Sequence, residues 1–173
     1  MVIPASAPQP LNERRVALVI GNGAYPAAPL KNPVNDAMAM VQVLREQGFD
    51  VIVRENASKT QMEKAVIEFG QKLGEGAVGL VYYSGHGLQV GGKNYLVPVD
   101  AEITTERMVP LTTVDADNIL TQMMDARSRV NVVILDACRN NPFERAFRAL
   151  NGGLAQMNAP QGTLIAYATA PGK

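Results

Sequence analysis

The chain holds one histidine, His86, and one cysteine, Cys138. A thiol becomes a strong nucleophile when an imidazole holds it as the thiolate, and the same imidazole can protonate a leaving amine. Taken singly, a lone cysteine is most often inert packing and a lone histidine a satisfied polar group. Here each stands at the end of an apolar run. His86 follows Tyr82, Tyr83 and Ser84 and lies between Gly85 and Gly87, while Cys138 follows Asp136 and Ala137. The two glycines let a substrate backbone come close, and the amides of Gly87 and Cys138 are placed to hold an oxyanion. The chemistry expected is acyl transfer. A metal centre is a poor fit, since one histidine and one cysteine do not make a structural zinc set.

What must position these residues is an alternation of strands and helices. Five apolar runs, 16–20, 51–53, 78–83, 130–135 and 163–168, are separated by helical patterns, which predicts an α/β sandwich around a mostly parallel sheet. Their near-continuous apolarity fits strands buried on both faces. Asn32 and Pro33 open a first helix through Val34, Met38, Val41 and Leu44, closed by Gly48. Ser58 and Gln61 form a capping-box pattern before the stripe Met62, Val66, Phe69 and Leu73, ending at Gly74. A third helix through Ile119, Leu120, Met123 and Met124 is opened by Thr113 or Asp115. The eight methionines read as core filler. Gly91 and Gly92 predict a projecting hairpin over 88–99. Residues 139–161 read as a long connection carrying a short helix near 143–150, on the same edge as the strand ends. Ligands of open parallel sheets bind beyond those ends, and a right-handed crossover makes the strands of His86 and Cys138 neighbours.

The chain has 173 residues, 47% of them hydrophobic and 18% charged, the profile of one globular domain. Lys plus Arg equals Asp plus Glu at 16 each, which argues against nucleic acid or an anionic membrane as a partner. No run approaches the roughly 18–20 apolar residues that cross a bilayer. Residues 1–13 form a Pro- and Ala-rich lead-in without the basic start and apolar core of a signal peptide. A nucleophilic thiol suits the cytoplasm and the lead-in permits export, so compartment stays open. Gly21, Asn22 and Gly23 resemble a dinucleotide fingerprint, but Pro26 stands at the third glycine position. Arg127, Arg145 and Arg148 read as solvated charges, and 139–141 as a loop-shaping segment.

Ser84, Gly85, His86 and Gly87, together with Asp136, Ala137 and Cys138, resemble the two catalytic motifs of caspase-like cysteine peptidases, specifically the bacterial metacaspase-like (orthocaspase) branch. Cys138 follows His86 by 52 residues, matching the caspase spacing of about 50. Residues 15–25, 30–37, 95–100 and 136–143 share the likeness. Asp-Ala-Cys-Arg-Asn stands where a caspase would have Gln-Ala-Cys, hence metacaspase-like. The resemblance implies a three-layer caspase-like sandwich and a cysteine endopeptidase, needing no cofactor, that cuts peptides or proteins after Arg or Lys. Carried over by motif, Asp36, Ser84 and Asp136 would form the pocket for that basic side chain. Many metacaspases take calcium on an acidic insertion after the histidine motif; residues 88–93 here hold no carboxylate, so calcium-independent behaviour is expected. The family fold has six strands and five are accounted for. Residues 14–173 therefore read as a large-subunit-like catalytic domain lacking its last strand, with its own small-subunit segment as a possible partner and Lys173 as either a processing site or a boundary. Two other readings compete: a catalytically silent caspase-like scaffold within a larger protein, and a flavodoxin-like binding domain with incidental His and Cys.

Overall fold

The five apolar runs become five parallel strands: β1 (Arg15–Gly21), β2 (Asp50–Glu55), β3 (Val78–Val90), β6 (Val130–Cys138) and β7 (Thr163–Tyr167). The computed structural model describes residues 13–138 and 154–168. The expectations for residues 1–12, the loop-shaping segment 139–141, the helix near 143–150, Arg145, Arg148 and Lys173 lie outside the described residues. So does the side chain of Cys138, whose place in β6 is described.

Among the described residues the parallel strands run in the order β2-β1-β3-β6-β7, and β3 also leads into an antiparallel arm with β4 (Lys93–Leu96) and β5 (Val114–Asp115). Helix α1 (Pro33–Glu46) covers one face, where Ala37, Val41 and Leu44 pack on Ala17, Val19 and Tyr82. Helices α2 (Lys59–Lys72) and α4 (Asp117–Asp125) cover the other, burying Met62, Phe69, Ile119 and Met123 against Leu18, Val81, Val133 and Leu135. This is the three-layer arrangement expected, since strands apolar on both sides need a helix layer on each. A smaller core of Tyr25, Leu88, Tyr95, Val97, Ile103 and Val109 lies under the antiparallel arm.

Local signals hold in detail at several places. The Ser58 hydroxyl accepts from the Gln61 amide and the Gln61 side chain accepts from the Ser58 amide, closing the capping box of α2. Gly91 and Gly92, with φ of 58° and 80°, form the hairpin turn between β3 and β4. Pro33 opens α1 at its first turn, and Gly48 follows with φ of 79°.

Four expectations need correction. Asn32 caps α1 by position only, with no side-chain bond to the helix. Helix α2 stops at Lys72, because Leu73 turns to extended backbone before Gly74. The third helical pattern begins at Asp117: Val114 and Asp115 are drawn into pairing with β4 instead, and a short helix α3 (Val109–Thr112) precedes them. Asp115 still marks the start, its carboxylate accepting from the Asp117 amide. Methionine as core filler holds for Met62 and Met123, whereas Met38 and Met124 are exposed on the outer faces of their helices.

The most consequential difference concerns His86. The run 78–83 was expected to end near it, yet β3 continues to Val90. It pairs in parallel with β6 through His86, opposite Cys138, and in antiparallel with β4 from Gly87, opposite Leu96. His86 is thus where one strand changes partners.

Candidate active site

The parallel register sets Ser84 opposite Asp136, Gly85 opposite Ala137 and His86 opposite Cys138. Neighbouring strands lie about 4.8 Å apart, so the two positions that could do nucleophilic chemistry stand side by side in the sheet. Ser84 and Asp136 stand two residues earlier along the same two strands.

His86 is 3% exposed. Its Nε2 lies 2.8 Å from the carbonyl oxygen of Ala28, in the loop between β1 and α1. A carbonyl only accepts, so Nε2 carries the proton and Nδ1 is the basic nitrogen of the neutral ring. Burial lowers the pKa of the imidazole below its ordinary value, and the bond to Ala28 opposes that shift only in part. The ring is therefore neutral at pH 7, the state in which it can take a proton.

Two tyrosines hold the backbone beneath this ring. Tyr25 packs against the imidazole in a tilted arrangement, centroids 4.4 Å apart at 51°, and its hydroxyl accepts from the His86 amide at 3.0 Å. The Tyr83 hydroxyl donates to the His86 carbonyl at 2.5 Å. The two hydroxyls lie 3.3 Å apart, and both reach the carbonyl of Val97, which also accepts from Asn22. Gly85 makes this possible: a Cβ there would stand 2.6 Å from the Tyr83 hydroxyl and 2.7 Å from that of Tyr25. Gly87 is equally confined, since its Cβ would meet Leu154 at 2.8 Å and Ala137 at 2.9 Å. The chain returning at Leu154 therefore packs directly on the site, fastened by reciprocal bonds between the Asn94 amide group and the backbone of Ala155.

Asp36, Ser84 and Asp136, the residues expected to take a basic side chain, have Tyr82 in common. The Tyr82 hydroxyl lies 3.4 Å from Oδ2 of Asp136. Its pKa is pushed up to about 12, first by burial and next by the charge of Asp136; the charge of Asp36 adds to this, and a hydrogen bond with Ser84 opposes it. Asp36, Ser84 and Asp136 thus all act on one phenol. Asp36 is exposed in the first turn of α1, Ser84 is buried and Asp136 half-buried. Tyr82, Tyr83, Tyr25 and Ala28 were assigned no role beforehand. A usable signal was present: Gly85 within a strand, beside His86, marks close approach of another group.

Beyond the imidazole, the loop of Tyr25, Pro26 and Ala28 and the segment after β4 enclose a cleft of about 520 Å³, lined also by His86, Val99 and Ile103. Among the described residues no group of three or more His, Cys, Asp or Glu is placed to hold a metal ion, and no helix is long and apolar enough to cross a membrane.

A family model described as the caspase domain matches residues 14–173. The chain belongs to the caspase domain family. Human mucosa-associated lymphoid tissue lymphoma translocation protein 1 is 34% identical over 166 residues, covering 95% of this chain and 19% of that protein; its mouse homolog matches to the same extent. The chain spans about a fifth of the length of these curated relatives. The Drosophila initiator caspase Dronc superposes with a TM-score of 0.60 at 15% identity, covering 90% of this chain and 55% of Dronc. Pro-sf-caspase-1 gives 0.59 at 18% identity, covering 92% and 63%. At such identities these structures establish the caspase-like fold. Family membership makes this a caspase-like domain.

Proposed function

We propose that the chain is the catalytic part of a cysteine endopeptidase of the metacaspase-like branch, cutting after Arg or Lys. The observation that carries this is the pairing of His86 with Cys138 across β3 and β6. Cys138 supplies the nucleophile, and Nδ1 of the neutral His86 takes its proton. The thiolate adds to the scissile carbonyl, the amides of Gly87 and Cys138 hold the oxyanion, and His86 returns the proton to the departing amine. Water then releases the acyl group by the same steps.

The preference for a basic residue rests on Asp36 and Asp136 acting on the Tyr82 hydroxyl beside Ser84. Two like charges acting on one phenol favour a guanidinium or ammonium that neutralises them. Calcium independence is supported by the hairpin after His86, where residues 88–93 bring no carboxylate to bind the ion. A small-subunit segment of the same protein is the natural partner for completing the groove.

The test compares fluorogenic peptides ending in Arg, Lys or Asp, with Cys138→Ala and with a calcium chelator. Turnover of the Arg and Lys peptides that survives the chelator and is lost in the alanine variant is expected. Cleavage of the Asp peptide, or activity retained without the thiol, would overturn the assignment.

A further inference from the structure

The departing half of a peptide substrate must sit where the imidazole can reach its new amino group. His86 has structure on both sides of it. On the strand side, two residues back along β3 and β6, are Ser84 and Asp136, assigned above to the residue before the cut. On the other side is the 520 Å³ cleft, of which the imidazole itself forms a wall. Its remaining lining is mostly apolar, from Tyr25, Pro26, Val99 and Ile103 with Thr104 beside them, and includes the exposed Asp100 and Glu102, of which Asp100 Oδ1 accepts from the Lys59 amide at 2.8 Å.

We propose that this cleft between the β1–α1 loop and the segment after β4 binds the leaving half of the substrate, an apolar residue directly after the cut followed by a basic one. The inference rests on the peptidase reading above and extends it to the far side of the scissile bond. The apolar side chain displaces water from the floor made by Val99 and Ile103, as a pocket of this size and lining favours. The cation that follows meets Asp100 and Glu102. The step served is acylation: the bond from Sγ of Cys138 to the carbonyl carbon forms, the carbon–nitrogen bond breaks, and the proton that His86 took from the thiol passes to the amine held in the cleft.

Tyr25 gives the cleft its link to the chemistry. Tyr25 lines the cleft, its ring packs on the imidazole, and its hydroxyl holds the His86 amide. A ligand seated there therefore presses on the same unit that carries the acid.

The experiment uses the chain with three substrates that share Arg before the cut: an arginine methyl ester, a quenched peptide continuing Leu-Lys, and one continuing Asp-Asp. Each is measured on the unaltered chain, on Ala101→Phe, which fills the cleft, and on Glu102→Lys; melting curves check folding. In the unaltered chain kcat/KM for Leu-Lys is expected to exceed that for Asp-Asp by about tenfold or more, and both variants to shrink that ratio severalfold relative to the ester. Ester hydrolysis with equal use of both peptides, or with a ratio indifferent to both substitutions, overturns the subsite while leaving the peptidase standing. No thiol-dependent hydrolysis of the ester overturns the peptidase reading and this inference with it.

Discussion

The hydroxyl of Tyr25 lies 3.0 Å from the backbone nitrogen of His86, 61 residues away, while its ring packs on the same residue's imidazole. One side chain thus satisfies the histidine's buried amide and limits the tilt of its ring. Tyr83 completes the arrangement from the carbonyl side.

Tyr25→Phe keeps the ring and removes the acceptor. A buried donor left without its partner costs about 1–3 kcal/mol, and a chain of this size should melt several degrees lower, since each kcal/mol moves the midpoint by about 2–4 °C. Scanning calorimetry checks this. An unchanged midpoint would mean that another group takes over the His86 amide.

Gly85→Ala places a methyl group within 2.7 Å of two hydroxyls. Real contacts are never so short, so the tyrosines must move, and overpacking of this kind costs about 1–3 kcal/mol. Because the displaced groups hold His86, peptidase activity should fall by a larger factor than stability alone explains. Combining Gly85→Ala with Tyr83→Phe should recover part of the lost stability, as read from denaturant midpoints.

The phenol of Tyr82 should ionise at about 12, and Asp136→Asn should bring it nearer to the ordinary tyrosine value. Tyrosine-selective NMR through an alkaline titration follows it directly. The same variant should lower kcat/KM for Arg substrates by about tenfold, since a neutral amide cannot neutralise a cation.

The folded chain holds the His86 ring less basic than the unfolded chain does, by burial. Between the ordinary histidine value of 6.5 and the lower folded one, the unfolded state binds the extra proton. Stability contributed here is therefore complete above pH 6.5 and is lost as pH falls through that window. The drop in melting temperature from pH 7.5 to 5.5 should be smaller in His86→Asn than in the unaltered chain.

Ser58→Ala should cost about 1 kcal/mol by opening the capping box of α2. Urea midpoints with an unchanged slope would report it.

How far the sequence could be read depended on whether a signal was local. The capping box of Ser58 and Gln61 and the Gly91–Gly92 turn are complete within four residues, and both form as expected. The five parallel strands were legible because each is apolar on both sides, and the crossover rule then made β3 and β6 neighbours. The continuation of β3 past His86 was not legible, since Gly85 and Gly87 weaken a strand by themselves; here they admit Tyr25 and Leu154 from distant parts of the chain, beside the neighbouring Tyr83. Nor could β5 be anticipated, as two residues carry no period. Met38 and Met124 show that residue type does not settle which side of a helix faces water. At the site, Asp36, Ser84 and Asp136 came from motif likeness, whereas Tyr82, which they surround, is an apolar-looking strand residue until the phenol is placed.

The change of partners in β3 at His86 makes the sheet a fork, with the parallel ladder to β6 as one tine and the hairpin to β4 as the other. The imidazole stands in the crotch. Tugging on the hairpin, or on Ala155 tied to its Asn94, would lever the tines apart at the place where the His86 and Cys138 positions are paired. The spacing of these two positions is set by how tightly two separate ladders are clamped, and not by one rigid plane.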